Sequence, residues 1–353
     1  MSKVSITTFN CGKLFPLHNN QLASSVIKSI IPNVSDEYDL IVLGLQEVSM
    51  IWECLDPEIM SNKIGEINKL IQGHLGNNYS SIGSDYTGGT ALFLFARNNM
   101  TVHSLIRDHC KRGIINSSLK GSVSITLQVT NSNQSDFLET YCFICCHLTA
   151  NEGIKNLNYR IKDIEAIIDS CKTNIPSSLF ENSLLFLFGD LNFRVNPLTR
   201  VYEGDELLHL LNTHPLFKNL KEFRINFNKT YKYVLYDAAN SFNMKRNPSW
   251  CDRILYKCSN NENNISIESY DAISRGSSLL FSDHQPVQLK FINKNPLNLT
   301  GNKNIIKRKD FMLCEVNYPD IIISYVDWLL YKRFHYWIIS SGQGRLYSEV
   351  VRK

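Results

Sequence analysis

Short apolar runs punctuate this chain, and polar residues follow or flank most of them. They are Val4–Phe9, Leu40–Leu45, Thr90–Ala96, Val123–Val129, Tyr141–Cys146, Leu184–Phe188, Ile254–Tyr256 and Val287–Ile292. Runs of this length read as strands. Several follow one another with no helix between them, so a regular βαβ alternation fails, and two packed β-sheets with helices outside are favoured. Helices are predicted over Met60–Leu75 and Asp205–Leu211. A third runs through Ile154, Leu157, Ile161, Ile164, Ile167 and Ile168 and ends before Pro176. The expected fold class is a four-layer α/β sandwich.

Composition supports a packed core, with 43% hydrophobic and 20% charged residues in 353. Charge is unevenly placed. Residues 1–293 carry 27 Lys/Arg against 28 Asp/Glu, whereas residues 294–353 carry 10 against 5. A core without basic excess argues against nucleic acid as a partner. The division expected is a catalytic domain over 1–293, a polar basic linker over 294–310 and an apolar-basic tail over 311–353. The ten cysteines hold a single CxxC, Cys142 to Cys145 inside an apolar run, with no second pair to complete a metal site, and the N-terminal MSKVSITTFN lacks a secretory core, so a reducing, cytosol-facing setting is expected.

Five polar groups interrupt the apolar runs: Asn10, Gln46-Glu47, His147, Gly189 to Asn192, and Ser282-Asp283-His284. Taken singly, such residues are turn formers, solvated charges or structural histidines. Together, at strand ends that a sheet gathers along one rim, they point to a shared cleft. Carboxylates and amides without a Cys or His metal trio suit a hard cation such as Mg²⁺. Phosphate-ester hydrolysis fits that set: a carboxylate orients water, a cation neutralises phosphoryl charge, and His and Asn donate hydrogen bonds. Asp252 is a further acid able to orient a histidine.

The motifs FNCG, LGLQEV, CHLTA, FGDLNFR, PSWCDRILY and SDHQPV, in that order, resemble the inositol polyphosphate 5-phosphatases of the endonuclease/exonuclease/phosphatase superfamily, over about Val4 to Ile292. The resemblance implies a DNase I-like sandwich and Mg²⁺-dependent attack of water on an inositol 5-phosphate. It also implies roles. Glu47 matches the metal-binding acid, with Asn10 and Asp283 at the metal centre. Asp190 matches the acid that positions or activates water, and Asn192 contacts the nucleophile or scissile phosphate. His284 and His147 match the phosphate-contacting histidines, and Asp252 matches the acid that orients His284. Arg194 helps fix substrate phosphates. Tyr231 and Lys232 of the TYK element, with Arg246, match contacts to a 4-phosphate; the family's Lys–x–Arg is shifted here to Lys245-Arg246. Lys120-Gly121 partly matches a further segment facing substrate or membrane.

The implied substrate is phosphatidylinositol 4,5-bisphosphate, converted to phosphatidylinositol 4-phosphate, with no obligate protein partner. Soluble inositol phosphates and the 3,4,5-trisphosphate lipid are the alternatives. A nuclease would need a basic core face, and a non-catalytic membrane binder would show lost motif residues; neither is seen. Within the family the motifs lie near a short branch that ends in an anchor at the endoplasmic reticulum. Here Ile321–Ile339 is interrupted by Asp327, Lys332, Arg333 and His335, too polar to span a bilayer. Its aromatic and basic residues suit an anionic membrane surface instead, as does docking on the domain.

Overall fold

The computed structural model describes residues 2–113, 116–132, 138–196, 204–257 and 265–294. The expectations for the tail, and for all but the first residue of the linker, lie outside the described residues. In chain order the elements are β1 (Ser2–Asn10), α1 (Asn20–Ile30), β2 (Leu40–Gln46), α2 (Pro57–Leu75), β3 (Tyr79–Thr87), β4 (Thr90–Arg97), β5 (Met100–Lys111), β6 (Gly121–Asn131), β7 (Glu139–His147), α3 (Ile154–Asn174), α4 (Ser177–Asn182), β8 (Leu184–Asp190), α5 (Glu206–Thr213), β9 (Lys221–Glu222), β10 (Asp252–Lys257), β11 (Ile265–Ala272) and β12 (Val287–Asn293).

Two six-stranded sheets result, ordered β11-β12-β1-β2-β4-β3 and β5-β6-β7-β8-β10-β9. The β1–β2 and β7–β8 pairs are parallel and the rest are antiparallel. Alternation sorts the residues of the central strands between one inner core and two outer ones, because successive side chains leave opposite faces of a sheet. Val4, Ile6, Val42, Phe143, Phe186 and Phe291 fill the layer between the sheets. There the Phe186 and Phe291 rings meet across the interface, 4.9 Å between centroids. The opposite faces are covered by helices. Ile41, Leu43 and Phe93 pack under α1 and α2, while Cys142, Ile144 and Leu187 pack under α3 to α5. Four layers follow from strands that are apolar on both faces, the sandwich expected from the sequence.

Capping explains where the helices begin. Asn19 Oδ1 accepts from the Leu22 N–H ahead of α1, Asp56 accepts from the Glu58 and Ile59 N–H groups ahead of α2, and Asp205 accepts from the Leu207 N–H ahead of α5. Helix α3 stops at Asn174, two residues before Pro176. All eight described cysteines are free thiols. Among the described residues no helix is long and apolar enough to cross a membrane.

Candidate active site

The strand register brings the five interruptions to one rim. Asn10 pairs with Gln46 at the ends of β1 and β2, and His147 pairs with Asp190 at the ends of β7 and β8. Asp252, the first residue of β10, lies opposite Asp190 on its other side. Getting β8 to end this way needs Gly189. Its φ is 138°, and a Cβ there would lie 2.0 Å from the Cys146 carbonyl oxygen.

Asp190 is the centre of the cluster. The Asn10 side-chain amide donates to Asp190 Oδ2 at 2.9 Å, and the Asn192 N–H donates to Oδ1 at 3.1 Å. His147 Nε2 lies 3.4 Å and His284 Nε2 lies 3.9 Å from the same Oδ2. His147 Nε2 is also 3.7 Å from Glu47 Oε1. Burial alone would push the Asp190 carboxyl up. The His147 hydrogen bond and the charges of His284, His147 and Lys120 outweigh it and hold Asp190 well below the usual carboxylate range.

A second acid sets up His284. Asp252 Oδ2 lies 2.9 Å from His284 Nδ1 and accepts from the Thr230 hydroxyl at 2.7 Å. Burial works against charge on the His284 ring, but Asp252 and Asp190 lift it to about 9. The ring is therefore cationic at neutral pH. Its backbone N–H donates to the Ser282 hydroxyl, which donates in turn to the Asn10 carbonyl, so β1 and the segment before β12 are tied at the site.

Tyr231 forms the adjoining wall. Its ring lies 4.5 Å from that of His284, and the Arg194 guanidinium stacks on it at 4.8 Å. Arg194 also donates to Asn192 through its side-chain and main-chain oxygens. Lys232 Nζ lies 3.2 Å from Asp283 Oδ2, so Asp283 turns its carboxylate to the lysine. Arg246 is half-buried and its charge acts on the Tyr231 hydroxyl. Lys245 is exposed, with its backbone N–H donating to Asn243 Oδ1.

Three contributors were not assigned these places from the sequence. Lys120, expected to face substrate or membrane, contacts His147 Nε2 with its ammonium; burial lowers its pKa against the pull of Asp190 and Glu47. Thr230 lies in the TYK motif and was legible as a donor. Arg275 donates to the Ser282 carbonyl at 2.6 Å, and no motif marks it. Trp250 and Cys251, the two residues before Asp252, are packing residues. The Trp250 indole donates to the Phe227 carbonyl, and the Cys251 thiol is buried against Phe193.

The model of Endonuclease/Exonuclease/phosphatase family 2 matches residues 7–290, which hold every residue of this cluster. The chain belongs to this family. Among relatives of this endonuclease/exonuclease/phosphatase chain, phosphatidylinositol 4,5-bisphosphate 5-phosphatase A of Rattus norvegicus is 27% identical over 323 residues, covering 82% of this chain and 31% of the relative. Polyphosphatidylinositol phosphatase INP53 of Saccharomyces cerevisiae is 31% identical over 221 residues, covering 57% of this chain and 18% of the relative. The chain thus spans less than a third of either relative. The inositol polyphosphate 5-phosphatase domain of SPsynaptojanin, solved with inositol (1,4)-bisphosphate and a calcium ion, superposes with a TM-score of 0.58 at 21% identity. That match covers 82% of this chain and 83% of the other. At that identity the likeness establishes the shared sandwich fold.

Proposed function

We propose that this protein hydrolyses the 5-phosphate of phosphatidylinositol 4,5-bisphosphate to give phosphatidylinositol 4-phosphate, by direct attack of water and with Mg²⁺. The observation that carries this reading is the meeting of Asn10, His147 and His284 on one oxygen of Asp190. Names of the relatives support the substrate class.

The donor set fits a hard cation. The Asp190 and Glu47 carboxylates flank the His147 ring, 3.4 Å and 3.7 Å from its Nε2, and Glu47 is 31% exposed. Glu47, with Asn10 behind it, would hold Mg²⁺, and bound Mg²⁺ would supply positive charge to the phosphoryl oxygens. Asp283 joins that centre less directly, through its pairing with Lys232.

Asp190 orients the attacking water; its depressed pKa suits positioning more than proton removal. Asn192 is held by a bond from its Nδ2 to the Leu148 carbonyl and by the Arg194 fork, and contacts the scissile phosphate. Cationic His284, oriented by Asp252, and His147, backed by Lys120, stabilise charge as the bond from phosphorus to the 5-oxygen breaks. Lys232, Tyr231 and Arg246, with Lys245 at the rim, select a neighbouring 4-phosphate through charge-assisted hydrogen bonds. The cytosolic face of the endoplasmic reticulum is the proposed location, with residues 311–353 as its membrane-associating segment.

The test is phosphate release from a panel of lipid and soluble inositol phosphates, with Mg²⁺ and with chelator, for the natural chain and Asp190→Ala. Expected is release from 4,5-bisphosphate substrates that needs Mg²⁺ and falls on the order of 10²–10⁴-fold in the variant. Retained turnover in Asp190→Ala would refute the water-orienting role.

A further inference from the structure

Large exposed hydrophobic residues are scattered over most of the described surface, as is normal for single side chains. Two stretches break that pattern, one holding Ile51, Trp52 and Ile59 and a second that is more exposed. Val234 (38% exposed), Leu235 (49%), Tyr236 (75%) and Met244 (76%) fall within that second stretch of chain. The inference drawn from them rests on the phosphoinositide reading above. We infer that the turn over residues 234–244 is a membrane-contact surface, which places Leu235, Tyr236 and Met244 at the headgroup level of an anionic bilayer holding the substrate.

The exposure is built into an ordered turn. The Val234 N–H donates to the Ser241 carbonyl, and Tyr233 and Phe242 form a bridge with stacked rings 4.6 Å apart. Asp237 closes the tip by accepting from the Ala239 and Ser241 N–H groups. The backbone that presents these apolar side chains is thus fixed by its own hydrogen bonds.

Position and charge select the occupant. The Tyr236 N–H donates to the Leu280 carbonyl and the Tyr233 N–H to the Asp283 carbonyl, so the turn is bolted to the segment that carries His284. Lys232 precedes the apolar residues by two positions, and Lys245 and Arg246 follow Met244 directly. Lys232 is paired with Asp283, which leaves Lys245 and Arg246 against the one acid of the turn, Asp237, whose carboxylate is already engaged by two amides. Apolar and aromatic side chains flanked by Lys and Arg, beside the substrate pocket, match an anionic lipid interface. Dilute soluble substrate gives such side chains nothing to bury against.

The experiment uses the full chain and the triple variant Leu235→Ser, Tyr236→Ser, Met244→Ser. Turnover is measured on inositol 1,4,5-trisphosphate in solution and on phosphatidylcholine–phosphatidylserine vesicles carrying phosphatidylinositol 4,5-bisphosphate. Expected is a loss of roughly tenfold or more on vesicles, with the soluble reaction within about twofold of the natural chain. A second arm places an indole by Leu235→Trp and reads its quenching by brominated lipids in vesicles without substrate. Quenching is expected. Absence of quenching, or an equal change on both substrates, overturns the inference, as does a dimer in sedimentation velocity that only the triple variant loses. If the natural chain turns over neither substrate, the catalytic reading fails and the quenching arm alone decides the surface.

Discussion

His284 Nδ1 lies 2.9 Å from Asp252 Oδ2, although Asp252 opens a strand of one sheet and His284 stands just ahead of a strand of the other. Asp252 opens β10 beside β8, and His284 stands just ahead of β12 beside β1. The pair closes the sandwich at the catalytic rim. It also fixes which ring nitrogen faces Asp190, because Nδ1 is occupied and Nε2 is left pointing inward at 3.9 Å.

Asp252→Asn removes the charge that raises His284 and keeps the shape. The expected outcome is a kcat/KM lower by roughly 10–100-fold. The natural chain should lose activity as pH rises through about 9, where His284 gives up its proton, and the variant should lose it earlier, toward the ordinary 6.5. Stability moves with the same sign: the pairing contributes fully below 6.5 and is lost as pH climbs through about 9. An unchanged basic limb in the pH–rate profile contradicts the assignment.

Lys232→Ala frees Asp283 and removes one cation from the proposed 4-phosphate subsite. KM should rise much more for substrates bearing a 4-phosphate than for those lacking it, with kcat less affected. Steady-state kinetics on matched pairs of inositol phosphates separates the cases, and equal effects on both remove the specificity role.

Gly189→Ala puts a Cβ 2.0 Å from the Cys146 carbonyl at a φ of 138°. The β7–β8 rung must shift, and Asp190 with it. We expect a stability loss of about 1–3 kcal/mol by chemical denaturation together with reduced turnover. Gly65→Ala is the matched control, since nothing lies within 4 Å of its Cβ in α2, and it should stabilise by about 0.5–1 kcal/mol.

Arg253 is 1% exposed and donates to Asp205 at 2.9 Å and to Glu222 at 2.7 Å. Arg253→Met fills similar space but strands two buried carboxylates, at a cost of about 3–5 kcal/mol in unfolding free energy. A urea titration showing a loss under about 1 kcal/mol shows that those acids are satisfied some other way.

The eight apolar runs are all strands, and every one lies in a sheet interior. The four strands the sequence did not reveal, β3, β5, β9 and β11, are the four sheet edges. The reason is burial. Interior strands are covered on both faces, so their residues are apolar almost without a break; β7 is buried at all nine positions. An edge strand such as β11, ISIESYDA, is half exposed, and its residues carry no such signature. Only the ladder offered by β12 makes it a strand. Helix α1 was readable, since Ala23, Val26, Ile27 and Ile30 follow helical spacing, and it went unassigned.

The site divides in the same way. Asn10, His147 and Asp190 end their strands, so the order of apolar run and polar stop announces them; Asp252 opens its strand and is marked by the PSWCDR motif, and sheet register aligns all four. Glu47, Asp283 and His284 stand just outside the strands and were announced by the same pattern. Contacts made by connecting segments carry no such pattern. That Lys120 reaches His147, that Asp283 turns to Lys232, and that Arg275 braces Ser282 depend on how loops from separate strands pack against one another. Local sequence sets the periodicity of a strand; the approach of two loops is set by the sheets beneath them, which only the assembled sandwich supplies.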